Sequence, residues 1–308
     1  MNLISLKGKI LDHSRLAREL VYLKYKHSAL RDPKAEASRE YKLFFGKDID
    51  WDNPKDLVEK IYWLEHNTDT SLWTLCADKY RVRSYVEEHG LGDMLPKLYG
   101  HWDRAEDIDF DSLPNQFVLK ANNGSGTVQI VRDKTKLDIR KTRKMVKEWL
   151  SHTYGYKSAD IFYYDIPPCV IAEELHQVPS NPISPHSLVD YKIWCFNGEP
   201  ESIWVAFDRQ KVGAVKMALF DLDWNPLPQH LKSISHYVYD PSIVIERPAS
   251  LDQMLDACRK LTKPFKEVRA DFYDINGQAY FGELTFSSGI GFYTKEYYDY
   301  LGSKIDLK

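Results

Sequence analysis

The chain has 308 residues, 43% of them hydrophobic, and a formal net charge of −3. These values allow a large core and exclude the strong overall positive charge of a dedicated nucleic-acid-binding protein, so no nucleic-acid partner is expected. No apolar run approaches the roughly 20 residues of a membrane-spanning helix, and the N-terminus shows no apolar signal segment, so we expect a cytoplasmic protein. The four cysteines stand singly and are predicted to be reduced core residues: Cys76, Cys169, Cys195 and Cys258.

The first hundred residues carry helical patterns. We predict one helix over residues 9–30, one over residues 55–66 after Asn53-Pro54, and one over residues 71–89, which Gly90 ends. Residues 1–100 are therefore expected to form a mainly helical region.

From residue 113 onward the pattern changes to short apolar runs separated by turn residues. These runs are FVLKA, VQIV, VIAEEL, YKIWCF, ESIWVAF and MALF. Helices are predicted over residues 138–152 and 250–263. The pattern is typical of an α+β region with much antiparallel sheet.

The loop in FVLKANNGSGTVQIV joins two predicted strands and is rich in small residues. Gly124 and Gly126 would let backbone N–H groups approach phosphate oxygens, and Ser125 adds a hydroxyl donor. The loop is neither a Walker A motif nor a dinucleotide fingerprint. Lys120 lies late in the first strand, where its charge costs desolvation energy unless it meets an anion.

Near the C-terminus, VRADFYDINGQAYFGELTF predicts a β-hairpin that turns at Asn276-Gly277. Alternation predicts that Arg269 shares a face with Asp271, and that Glu283 shares a face with Thr285. A two-residue loop would send Asp271 and Glu283 to opposite faces, whereas a three- or five-residue loop would bring them together. If the two carboxylates cooperate, we therefore expect an odd loop. In that case they are predicted to be Mg²⁺ ligands. The alternative is that both are solvent-exposed charges on edge strands.

Six segments in one order carry a resemblance to a known family: PKDLVEKIYWL, ADKYRVRSYV, LPKLYG, LPNQFVLKANNGSG, DYKIWCFNGEP and DFYDINGQAYFGELTFSSGIGF. From about residue 41 almost to its end, the chain resembles the ATP-grasp superfamily, and within it the TupA-like branch associated with bacterial surface-polysaccharide and teichuronopeptide biosynthesis. The resemblance implies an α+β fold in which two α+β subdomains, over residues 101–175 and 176–308, sandwich the nucleotide after the helical region.

The resemblance also implies roles for individual residues, with ATP and Mg²⁺ as cofactors. The ATP contacts would be Lys79 at the nucleotide edge, Lys120 and Gly124, Ser125 and Gly126 at the phosphates, Glu173, Glu174 and Leu175 at the adenine, Asp190 at the ribose and Lys192 at the terminal phosphates. The Mg²⁺ ligands would be Asp271, Glu283 and Thr285. Thr285 departs from the asparagine of many ATP-grasp ligases, and a hydroxyl implies a looser second Mg²⁺ or one completed by water.

The implied reaction is a carboxylate–amine ligation through an acyl phosphate, with Lys192 and Arg269 as catalytic residues. Arg269 would hold the acyl phosphate or the oxyanion, or serve as a structural partner of Asp271. The implied partners are an anionic glycan or lipid-linked sugar and an amino acid or amine, and Ser287, Ser288 and Gly289 would touch the acceptor. The alternatives are a glycan kinase and a non-catalytic nucleotide-binding protein in glycan assembly. The sequence predicts no oligomeric state.

Two further patterns have an ordinary and a functional interpretation. Eight basic residues lie in a short segment, at Arg132, Lys134, Lys136, Arg140, Lys141, Arg143, Lys144 and Lys147. They favour a packed amphipathic helix with a solvated face, and the alternative is a cationic surface for an anionic glycan, a lipid pyrophosphate or the inner membrane face. Aromatic clusters at residues 154–164 and 292–300 favour core packing over sugar binding.

Overall fold

The computed structural model describes residues 15–178, 181–210, 213–288 and 290–307. Residues 9–14 of the first predicted helix and Gly289 lie outside these ranges. In the N-terminal part the helices are α1 Arg15–Arg31, α2 Pro33–Phe45, α3 Leu57–Asn67, α4 Ser71–Ala77 and α5 Val82–Glu88. The later helices are α6 Ile139–Leu150, α7 Gly155–Ser158, α8 Leu251–Leu261 and α9 Lys295–Ser303. The mainly helical start of the chain is thus confirmed, although α2, α7 and α9 carried no prediction.

Two helix boundaries differ from the predictions for local reasons. Helix α3 begins after Asp56, not after Asn53, because Asp56 accepts hydrogen bonds from the N–H groups of Val58 and Glu59 in a capping box. The predicted helix over residues 71–89 is wrong because Asp78 interrupts it. The Asp78 carboxylate accepts from the N–H groups of Tyr80 at 2.8 Å and Arg81 at 3.0 Å, which starts a new helix and leaves Lys79 in the gap.

A four-stranded antiparallel sheet, the small sheet, forms the middle of the chain. Its strands are β1 Leu98–Trp102, β2 Phe117–Ala121, β3 Val128–Val131 and β4 Val170–Glu173, in the order β1-β4-β2-β3. Helix α6 packs on this sheet, with Thr142 and Val146 buried. The predicted amphipathic packing of this basic helix is confirmed.

A six-stranded sheet, the large sheet, follows. Its strands are β5 Asp190–Phe196, β6 Glu199–Phe207, β7 Val215–Phe220, β8 Tyr237–Tyr239, β9 Glu267–Ile275 and β10 Gln278–Thr285, in the order β10-β9-β5-β6-β7-β8. All neighbouring strands are antiparallel except β7 and β8. The N-terminal helices share one hydrophobic core with this sheet, while the small sheet has its own. The boundaries at residues 100 and 175 stay a prediction.

The hairpin of β9 and β10 corrects the expected loop. Asn276 and Gly277 form a two-residue turn with φ of 55° and 83°, and Ile275 pairs with Gln278. The register then shifts between Phe281 and Glu283, so that Glu283 pairs with Asp271. The expectation of an odd loop is wrong, because a β-bulge at Gly282 supplies the extra residue instead.

The four cysteines are buried and free, and most of the aromatic clusters lie in the core, as predicted. Arg143 does not belong to an exposed cationic surface, because its guanidinium donates to the backbone carbonyls of Ala105, Glu106 and Ile108. Within the described ranges, no helix has the length and apolar character to cross a membrane.

Candidate active site

A narrow cleft of about 20 Å³ lies where the small and large sheets meet. The gap after α4, helix α5, strands β2 and β4 and the bulge of β10 all contribute to it. Its lining residues are Lys79, Val82, Arg83, Leu95, Pro96, Lys120, Glu173, Phe281 and Gly282. Three of them are cationic, which suits an anionic ligand between the sheets.

Glu173, on strand β4 of the small sheet, forms ion pairs with two of these cations. Its Oε2 lies 2.8 Å from Lys120 Nζ and its Oε1 lies 2.8 Å from Arg83 Nη1. The antiparallel register pairs Val118 with Glu173, which places Lys120 on the same face two residues along β2. Arg83 was missed in the sequence, because its position on α5 relative to β4 depends on tertiary packing.

Side-chain hydrogen bonds hold the Gly-rich loop in place. The Asn122 side chain donates to the Pro167 carbonyl and accepts from the N–H of Cys169, while Lys79 Nζ donates to the Gly124 carbonyl at 2.9 Å. A Cβ at Gly124 would lie 3.0 Å from Tyr154 Cβ, so a larger residue there would have to push the Tyr154 side chain away from the loop. Ser125 and Gly126 are exposed at the tip.

Lys192, Arg269 and Asp271 form a buried ionic cluster on the large sheet. Arg269 holds Asp271 with two hydrogen bonds of 2.7 Å, and Lys192 pairs with the same carboxylate. Burial opposes the charge of Lys192, but Asp190 and Asp271 outweigh it and raise the pKa of this amine. Both cations lie over the Trp204 ring, at 5.9 Å for Lys192 and 5.7 Å for Arg269.

Glu283 connects this cluster to the small-sheet side of the cleft. Its Oε2 lies 3.0 Å from Lys79 Nζ and its Oε1 lies 4.0 Å from Arg269 Nη2. Burial alone would raise the pKa of Glu283, but the charges of Lys79, Lys192 and Arg269 lower it to about 2. Thr285 Oγ1 accepts from Arg269 at 3.2 Å and donates to Glu283 at 3.4 Å.

Three further predicted residues lie in two different places, one on the large sheet and two after strand β4. Asp190 belongs to the cluster, with Lys192 Nζ at 3.7 Å and Arg209 Nη2 at 3.2 Å. Glu174 and Leu175 lie just beyond the end of β4, where Glu174 is exposed and its backbone N–H donates to the Lys97 carbonyl. Neither Arg209 nor Trp204 was predicted, since their contacts depend on the strand order of the large sheet.

The donor set fits Mg²⁺ in its chemistry. Asp271, Glu283 and Thr285 offer the hard oxygens that Mg²⁺ prefers, and they lie on paired positions of β9 and β10. Both carboxylate oxygens of Asp271 accept hydrogen bonds from Arg269, while 35% of the Glu283 side chain is exposed. In the described part of the chain, no three His, Cys, Asp or Glu side chains converge into a metal site. A Mg²⁺ ion here would therefore draw further ligands from phosphates and water.

The comparisons with known proteins fit this architecture. A family model described as TupA-like ATPgrasp matches residues 59–306. Among solved structures, the D-alanine–D-alanine ligase from Bacillus anthracis complexed with ATP is 19% identical, with 70% of this chain and 56% of that chain covered and a TM-score of 0.43. The ATP-grasp ligase PsnB complexed with minimal precursor is 12% identical, with coverages of 75% and 59% and a TM-score of 0.39.

The chain thus covers just over half the length of these two solved structures. No curated protein matches it significantly. The family model extends over most of the chain, from helix α3 to beyond helix α9, and includes both sheets. The chain therefore belongs to the TupA-like ATP-grasp family and has the α+β ATP-grasp fold, preceded by a helical region.

Proposed function

We propose that this protein is an ATP- and Mg²⁺-dependent carboxylate–amine ligase that modifies a bacterial surface polysaccharide or its precursor. One observation carries the proposal: three cationic side chains line the cleft, and Glu283 links one of them to two more in the buried cluster of the large sheet. The three are Lys79, Arg83 and Lys120, and the two are Lys192 and Arg269. Their partners Glu173, Asp271 and Glu283 keep these charges in place until an anionic ligand arrives.

ATP would supply the phosphoryl group that activates a substrate carboxylate. On the small sheet, Lys120 and the exposed tip of the Gly-rich loop would hold its phosphates, while Lys79 fixes the base of that loop. On the large sheet, Lys192 would spread the charge of the terminal phosphate. Glu283, Asp271 and Thr285 would hold Mg²⁺ beside it.

Arg269 is the residue best placed to meet the substrate carboxylate. Its guanidinium is buried, fixed by Asp271 and Thr285, and reaches the Ser288 hydroxyl in the segment after β10. A fixed guanidinium stabilises a developing oxyanion without reorganising, which suits transfer at a carboxyl carbon. The substrate would be the uronic acid carboxylate of an anionic glycan, joined to an amino acid as an amide.

The test is product analysis with defined substrates. The protein, ATP and Mg²⁺ are incubated with glucuronate oligosaccharides and a panel of amino acids, and phosphate release and product mass are measured. A ligase gives one phosphate per amide formed, with a product lighter by one water than its two substrates combined. A phosphorylated sugar without an amide would instead establish a kinase, and no turnover would contradict both activities. At an ATP concentration well below saturation, Lys120→Ala is the control with reduced activity, and Lys136→Ala is the control with wild-type activity.

A further inference from the structure

A second and larger cavity, of about 190 Å³, lies between the N-terminal helices and the segment after β10. Its apolar lining residues, called the apolar wall here, come mostly from α2 and α3 and are Phe44, Val58, Ile61, Tyr62 and Ile290. Its polar lining residues are Glu40, Tyr154, Ser158, Asp160, Ser287 and Ser288. This lining contains two carboxylates and no lysine or arginine, so it is complementary to a cation.

Asp160, one of the two acids in this lining, is buried and has no counter-ion among the described residues. Asp160 is only 3% exposed, and its neighbour Glu65 is 1% exposed. Within the described ranges, neither carboxylate forms an ion pair, and Glu65 Oε2 has no hydrogen-bond partner. Burial raises the pKa of Asp160 to about 7. Burial makes the ionised form of these two acids costly, and a cation that enters the cavity would stabilise that form.

Two residues that line the cavity also contact residues of the candidate active site. Ser288, which lines it, accepts a hydrogen bond from Arg269 Nη1, and Ser287 precedes it in the same segment. Tyr154, which also lines the cavity, packs against Gly124 of the Gly-rich loop. A ligand in the cavity would therefore lie next to the centre where the substrate carboxylate is activated.

We propose that this cavity binds the amine substrate, with Asp160 as the counter-ion of its ammonium group and the apolar wall holding its hydrocarbon part. The inference rests on the proposed ligase function and adds where the amine binds and what kind it is. It is a primary amine with an apolar body, such as an apolar amino acid whose ammonium group faces Asp160 and whose carboxylate faces away from it. The glycan carboxylate would instead approach the cationic side at Arg269, which separates the two substrates by charge.

The experiment measures direct binding of two probes, leucinamide and isobutylamine, by calorimetry in the presence of ATP and Mg²⁺. N-acetyl-leucinamide and isobutyrate are the matched probes without a positive charge. We expect the amines to bind, and the other two probes to bind at least tenfold more weakly. Asp160→Asn should weaken amine binding at least tenfold and leave ATP binding unchanged. The exposed residue Asp111 gives the control variant Asp111→Asn, which should bind like the wild type.

A second variant guards against a folding defect at Asp160. Phe44 is 50% exposed, so Phe44→Ala should keep the fold and weaken binding of both amines through loss of the apolar wall. Equal binding of charged and acetylated probes, or unchanged amine binding in folded Asp160→Asn, would overturn the inference. Amide formation by wild type with unchanged amine KM in Asp160→Asn would also overturn it while leaving the ligase function intact. Absence of turnover with every substrate pair would contradict the ligase function itself.

Discussion

Glu283 lies directly opposite Asp271 in the hairpin, although the two strands are joined by a two-residue turn. The turn alone would place these carboxylates on opposite faces. The bulge at Gly282 adds one residue to β10, so Glu283 and Thr285 move to the face of Asp271 and Arg269. The candidate metal ligands therefore depend on one glycine that carries no functional group.

Substituting Gly282 tests this dependence. A Cβ at position 282 would lie 3.0 Å from the Asp271 carbonyl oxygen and 3.3 Å from the Tyr273 ring, which is too close without a backbone shift. We expect Gly282→Ala to lower the free energy of unfolding by about 1–3 kcal/mol and to weaken Mg²⁺-dependent ATP binding. Gly92→Ala is the control, because its Cβ would meet only Glu87 Cγ at 3.5 Å. Wild-type stability and binding in Gly282→Ala would contradict the role of the bulge.

Lys120→Ala should weaken ATP binding with little effect on stability. Glu173 keeps Arg83 as a partner, and 29% of the Lys120 side chain is exposed, so we expect the free energy of unfolding to change by less than about 1 kcal/mol. Loss of a charged hydrogen bond to phosphate is worth about 1.5–3 kcal/mol, or roughly a tenfold to hundredfold loss of affinity. Calorimetry of ATP binding measures this loss, and the exposed Lys136→Ala is the control. Equal ATP affinity in both variants would show that Lys120 does not contact ATP.

Lys192→Met should instead destabilise the protein. Asp190 and Asp271 would lose a buried cation, and breaking a buried pair from one side costs about 3–5 kcal/mol. Urea denaturation measures this cost. Lys216→Met is the matched control on β7, since its pair with Asp208 is more exposed and should contribute less than about 1 kcal/mol. Similar values for both variants would show that the Lys192 cluster carries no special stability.

The burial of Glu267 predicts that the stability of the protein depends on pH. This side chain is fully buried, neither carboxylate oxygen has a hydrogen-bond partner in the described ranges, and burial raises its pKa well above 4.5. Because the folded state keeps a proton that the unfolded state releases above pH 4.5, the free energy of unfolding should fall as the pH rises from there. The slope is about 1.4 kcal/mol per pH unit for one proton. Glu267→Gln should flatten the profile measured by urea denaturation between pH 5 and 8, and parallel profiles would contradict the assignment.

Local sequence signals predicted the elements of the site better than their arrangement. Lys120 and the Gly-rich loop follow from charge and composition within one hairpin, and the turn at Asn276-Gly277 follows from its two residues. The bulge could not be predicted, because Gly282 appears as an ordinary strand glycine until its pairing partner is known. The break at Asp78 was overlooked because the apolar spacing continues through it, although an aspartate there is a local signal.

Contacts between distant strands account for the rest. Trp204 lies under Lys192 and Arg269 only because β6 and β9 flank β5 on either side. Arg143 appeared to belong to a cationic helix face, yet three backbone carbonyls in the segment after β1 bind it. Such relationships depend on strand order and helix docking, which a single sequence does not specify.

The most direct test of the account is calorimetric ATP binding, with and without Mg²⁺, to the wild type and to the double variant Asp271→Asn/Glu283→Gln. Both substitutions keep the side-chain shape and remove only the charge. We predict that Mg²⁺ strengthens ATP binding at least tenfold in the wild type and has no effect in the double variant. Equal Mg²⁺ dependence in both proteins would contradict the account, because the paired carboxylates of the hairpin would then not hold the metal.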